Sequence, residues 1–213
     1  MKKVLVILMS MMFVSLSTFA LGGVDEFLYV GADWGFATEI AKDETFGTVK
    51  TQLDSFNFNF GCDSYFNEHV GIAIDCAFGF GNINKVTVDY GNGTIIGINK
   101  DNIDKSLFLS ALLGVALKYD ISPNFQVFSN IGAHGGIYGA NIKVAYFTAF
   151  SLGVGANLGA RFVYNRFFFQ SGIGLNHDFL VDGENGTPYE TEKISGLYNY
   201  TIFQPFVDIG IRI

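Results

Sequence analysis

The side chains able to do chemistry are few and widely spaced. The chain holds three histidines and two cysteines. His177 has Ser171 as the nearest serine on its own face if the segment is extended. Six residues of extended chain span roughly 20 Å, and a nucleophile must sit within hydrogen-bond reach of its base, so the two make no acyl-transfer pair. His134 stands among small residues and His69 beside a turn, and no histidine pair has the spacing of metal ligands. Cys62 and Cys76 lie where neighbouring strands would offset them by one or two pairs, Cys62 facing Ile72 or Ile74, so two free thiols are expected. No catalytic residue, cofactor or metal follows from these residues. What remains is a set of charges isolated in apolar or small-residue runs: Asp33, Asp75, Arg161 and Asp208.

The elements that carry those charges are strands. In Ser55–Cys62 every second residue is large and apolar while the others are small or polar, the two-residue period of a strand. The same alternation runs through Leu28–Phe36, Val70–Phe80, Ser106–Tyr119, Phe125–Tyr138, Tyr146–Tyr164, Phe167–Phe179 and Phe203–Ile213. Eight strands are expected. Short turns fall at Ser64–Glu68, Asp120–Asn124 and Asn165–Arg166, and longer polar segments at Ala37–Lys50, Asn82–Asp104, Gly139–Ala145 and Asp182–Lys193. One end is therefore tight and the other looped, with Lys85–Ile96 read as an exposed hairpin that continues its flanking strands.

Composition limits the class further. Of 213 residues, 49% are hydrophobic and only 15% charged, against roughly 25% charged in a soluble domain. Thirteen basic against 20 acidic residues, with no basic cluster, excludes nucleic acid as a partner. Lys2 and Lys3 precede the apolar run Val4–Val14, and Thr18 and Ala20 supply a small-residue cleavage site. Residues 1–20 thus read as a secretory signal peptide and 21–213 as one exported domain. Beyond Ala20 no run is long and apolar enough for a membrane helix.

Alternation alone does not say which face points outward. Here the face opposite the apolar one is mostly Gly, Ala, Ser and Asn, which suits the crowded interior of an eight-stranded barrel and leaves Phe and Leu to meet lipid. Phe66, Tyr119, Phe125, Tyr164 and Phe167 flank the tight turns on the apolar face and fit an interfacial girdle. The pattern resembles the small eight-stranded outer-membrane barrels of the OmpA/OmpX type, with the OmpW-like barrels as second choice. The last strand, Phe203–Ile213, resembles their C-terminal insertion strand, though it ends in Ile rather than the usual Phe.

The resemblance implies an all-β, antiparallel, up-and-down transmembrane barrel in a Gram-negative-type outer membrane, a monomer whose partners are lipid and any surface ligand or host molecule met by its loops. A non-enzymatic structural, adhesive or interaction role is the leading expectation. The alternative is a narrow conduit for small or apolar solutes, since the inward face also carries Phe108, Leu112, Phe128, Tyr138, Phe147, Phe168 and Phe206. Counted from the tight end, Asp33, Asp75, Arg161 and Asp208 reach similar depths, which predicts a lumen ion-pair network in which Arg161 pairs directly with at least one of the three acids, Asp208 or Asp75 foremost. Lys118 and Arg212 lie nearer the tight rim.

Overall fold

The computed structural model describes residues 24–43, 47–89, 95–98, 103–142, 145–186, 191–196 and 198–213. The signal peptide expected over 1–20 lies outside them, as does most of the segment joining 89 to 103. The described chain forms ten strands: β1 (Asp25–Asp43), β2 (Gly47–Tyr65), β3 (Val70–Asp89), β4 (Ile95–Ile98), β5 (Ile103–Ser122), β6 (Phe125–Ile142), β7 (Ala145–Tyr164), β8 (Phe167–Gly186), β9 (Thr191–Gly196) and β10 (Tyr198–Arg212). Eight of them, all but the short β4 and β9, pair antiparallel in chain order, and β10 bonds to both β8 and β1, so the sheet closes on itself. Closure gives each of the eight barrel strands a partner on both sides, which lipid demands of the backbone.

Burial follows the two-residue period. On β1, Val30, Trp34 and Phe36 stand about half exposed on the outer surface while Tyr29, Asp33 and Ala37 are buried inside. The tight-end girdle is present, with Phe66, Tyr119, Phe125, Tyr164 and Phe167 all exposed. A second aromatic ring of Trp34, Phe36, Phe80, Phe150, Phe179 and Phe203 marks the other edge of the apolar band. Past that edge the outer face turns polar, with Thr38 opposite both Gln52 and Thr201.

The strands outrun the expected loops. β1 and β2 stay paired up to Asp43 opposite Gly47, inside the segment read as a polar connection over Ala37–Lys50. β8 likewise continues to Gly186, pairing with β9 from Val181 opposite Gly196. Sheet pairing does not stop at the apolar band, and residues such as Thr48, Lys50 and Gln52 pair without an apolar face. A strand of 19 or 20 residues is about twice the length needed to cross a bilayer, so the sheet projects beyond the membrane. The expected hairpin over Lys85–Ile96 is found, with Val86 opposite Ile98.

The first two tight turns are smaller than expected because β2 runs on to Tyr65 and β5 to Ser122, while the third is as expected. At the first, the Asn67 side-chain oxygen accepts from the backbone N–H of His69 and Val70 at 2.9 and 2.8 Å. The third is the two-residue Asn165–Arg166 turn, where Asn165 has φ 57°, a left-handed conformation that asparagine tolerates better than most side chains.

Candidate functional site in the barrel interior

At the tight end the interior is closed around one arginine. Arg161, on the inner face of β7, is fully buried. Its Nη2 donates to Asp63 Oδ2 at 2.5 Å and its Nε to Gln170 Oε1 at 2.8 Å. The rings of Phe27, Phe128 and Phe168 surround the guanidinium at 3.9, 4.7 and 4.9 Å, close enough for each to attract the cation. The expected direct partner, Asp208 or Asp75, is corrected to Asp63. Asp208 is reached through Gln170, whose Nε2 donates to its Oδ2 at 2.8 Å. The reason is strand length: Asp63 lies two residues inside the true end of β2, on the face of Asn59 and Gly61.

Below Arg161, Asp25 takes bonds from Lys118 Nζ and from the Arg212 guanidinium, the latter at 2.6 and 3.1 Å. Lys118 also sits 4.6 Å from the Tyr65 ring centre. With Phe27, Tyr29, Ala73, Ala116 and Val163 packed between them, these groups fill the tight end.

Higher up, Asp33, Asp75 and Asp208 are held by neutral donors. Asp33 accepts from Asn57 at 2.6 Å and Gln204 at 3.2 Å. Asp75 accepts from the Tyr29 hydroxyl, from Asn157 at 3.1 Å and from Asn130 at 3.5 Å. Asp208 accepts from Asn59 at 2.6 Å as well as from Gln170. All three line a cavity of about 50 Å³. A second cavity of about 20 Å³ lies against Phe108, Tyr138 and Ile202, and His134 and Gln204 stand on the walls of both.

His134 belongs to a cluster of three side chains drawn from β6, β7 and β8. Its Nδ1 meets Asp178 Oδ1 at 2.7 Å, and Ser151 Oγ donates to Asp178 Oδ2 at 2.5 Å. All three occupy inward positions of the alternation, which was the available signal. The carboxylate is the hub, so the serine hydroxyl points at the acid and not at the imidazole, and the cluster lacks the serine–base bond that nucleophilic catalysis uses.

On the outer face, His177 Nδ1 meets Thr201 Oγ1 at 2.8 Å in the polar ring beyond the apolar band. His69 Nδ1 lies 3.3 Å from the Lys118 carbonyl at the tight rim. Cys62 stands opposite Ile74 and Cys76 opposite Phe60, and both are free thiols. The Phe147 side chain lies outside the described residues.

A closed eight-strand antiparallel cylinder with an apolar outer band, two aromatic girdles and a polar interior is a transmembrane β-barrel. Solved structures place its fold among the small outer-membrane barrels. The chain is similar to the outer membrane protein OprG from Pseudomonas aeruginosa, with 11% identity, 90% of this chain and 96% of that one covered, and a TM-score of 0.59. A major outer membrane protein from Thermus thermophilus matches at 11% identity over 88% and 99% of the two chains, TM-score 0.58. The outer membrane protein AlkL matches at 10% identity over 89% and 90%, TM-score 0.50. No protein-family model and no curated protein matches the chain.

Proposed function

We propose that this protein is a monomeric, non-enzymatic barrel of the outer membrane, exported by a signal at 1–20, whose interior is a rigid plug and whose projecting strands and loops do its work as a structural, adhesive or interaction surface. The observation that carries this reading is the packed tight end: Arg161, bonded to Asp63 and caged by three phenylalanines, blocks the lumen. At the opposite end the strands run on well past the apolar band. Loops on such a scaffold tolerate variation and carry recognition.

In support, Asp33, Asp75, Arg161 and Asp208 act in this reading as a structural network, with Asp63 as the ion-pair partner. Transport of small apolar solutes is the competing role. The two small cavities lie above the Arg161 level and a through-passage would require the plug to move.

Three measurements test the proposal. Heat-modifiable migration on a detergent gel and protease cleavage of the loops on intact cells are expected, together with a flat baseline in planar bilayers. A soluble monomer that needs no detergent overturns the membrane reading. Discrete single-channel steps overturn the sealed interior and favour the conduit.

A further inference from the structure

We infer that the cavity bounded by Asp33, Asp75 and Asp208 is a binding site for one partly hydrated divalent cation, Ca²⁺ by its ligand chemistry. The interior acids outnumber the cations around them. Arg161 is committed to Asp63, and Lys118 and Arg212 to Asp25. Asp33, Asp75 and Asp208 have amides and a phenol as partners, and neutral donors relieve desolvation without cancelling charge.

The second observation is independent of the acids. Asn59, Asn130 and Asn176 also stand on the cavity wall, and the side-chain oxygen of each is buried without a hydrogen-bond partner. Asn130 and Asn176 are 1% and 5% exposed. Asn59 and Asn130 turn their NH₂ groups to carboxylates and Asn176 turns its own to Gln204, so the oxygens are what is left over. An amide oxygen only accepts. The wall therefore offers carboxylate and carbonyl oxygens together, all of them acceptors, to whatever occupies the cavity.

Size and ligand type narrow the occupant. A cavity of about 50 Å³ has room for an ion and a few waters, at roughly 10–15 Å³ each, and excludes an organic cation. Among the described residues no three acids or histidines converge closely enough to hold a metal by themselves, so the ion keeps water on part of its shell. Ca²⁺ accepts mixed carboxylate, amide and water oxygens in irregular geometry, whereas Mg²⁺ demands a near-ideal octahedron. The packed tight end makes the looped end the route of entry.

The test uses the full barrel folded in detergent, stripped with EDTA and dialysed against radioactive CaCl₂ at fixed ionic strength. The wild type should bind Ca²⁺ saturably, with a urea midpoint that rises in CaCl₂ and not in NaCl of equal ionic strength. Asp75→Asn should weaken this binding at least about tenfold, whereas Glu68→Gln, in the exposed first turn, should not change it. Should Asp75→Asn fail to fold, Asn176→Ala removes an amide oxygen at constant charge and should weaken binding about threefold. Absence of saturable binding, an equal effect of NaCl, or unchanged binding in whichever of the two cavity variants folds overturns the site.

Discussion

Arg161 and Asp63 meet at 2.5 Å with both side chains wholly shielded from solvent. Removing one member of such a pair strands the other charge in a medium that cannot solvate it. Arg161→Ala should cost about 3–5 kcal/mol, and Arg161→Lys less, because it keeps the charge while losing the planar fork. Asp63→Ala should fall in the range of Arg161→Ala, and the double variant should cost clearly less than the two singles summed. Urea titration of the barrel folded in detergent measures all four. An Arg161→Ala midpoint and slope equal to the wild type would remove the stabilising role.

That pair was also the least legible part of the lumen in the sequence. The strand period, the tight and looped ends and the inward set were visible because small residues alternate with Phe, Leu and Val almost without interruption. Asp63 was not, since Asp63-Ser64-Tyr65 resembles the polar approach to a turn, and a turn placed one or two residues early removes its last inward residue from the lumen. Asp25 escaped for the same reason at the start of β1. The cluster of His134, Ser151 and Asp178 needs the tilt of three strands to bring it together, and residue counting along one strand carries no tilt.

Glycine on the inner face makes room for the acids. A Cβ at Gly61 would stand 2.6 Å from the Tyr29 ring and 2.7 Å from Asp75 Oδ1. Gly61→Val should therefore displace the tyrosine from the carboxylate and destabilise the barrel by about 1–3 kcal/mol. Ala32→Val, on the outer face of the adjacent strand, should be nearly silent. Equal midpoints for the two variants would contradict the inward placement of Gly61.

The cysteines give a chemical check on register. With Cys62 opposite Ile74, Cys76 is its diagonal neighbour, at about 7–8 Å between backbones, beyond comfortable disulfide reach. Mild oxidation of the folded barrel should leave two titratable thiols on subsequent unfolding. Loss of both thiols in the monomer band would mean a register shifted by two residues.

Glu39 lies inside the barrel just past the polar ring of Thr38, Gln52 and Thr201, outside the apolar band, with Tyr200 as its neighbour on β10. Burial pushes its carboxyl up from 4.5 to about 7. The folded state then holds a proton that the unfolded state releases, so this contribution to stability is full below pH 4.5 and is lost as pH rises through about 7. Glu39→Gln should remove that decline, leaving a flatter stability profile across the interval and a higher urea midpoint than the wild type at its alkaline end. Parallel profiles for the two proteins would count against it.

The interior bonds join parts of the chain that synthesis separates widely. Arg161 and Asp63 are 98 residues apart, Asn59 and Asp208 149, and Arg212 and Asp25 187. Each needs the sheet to curl until distant strands face one another, and the last two need β10 beside β1, so any half-rolled sheet carries bare charges on the face that is to become the lumen. Every such intermediate is penalised together, and closing the seam relieves them together. The polar plug thereby acts as a latch on the finished cylinder, one that catches only when β10 meets β1.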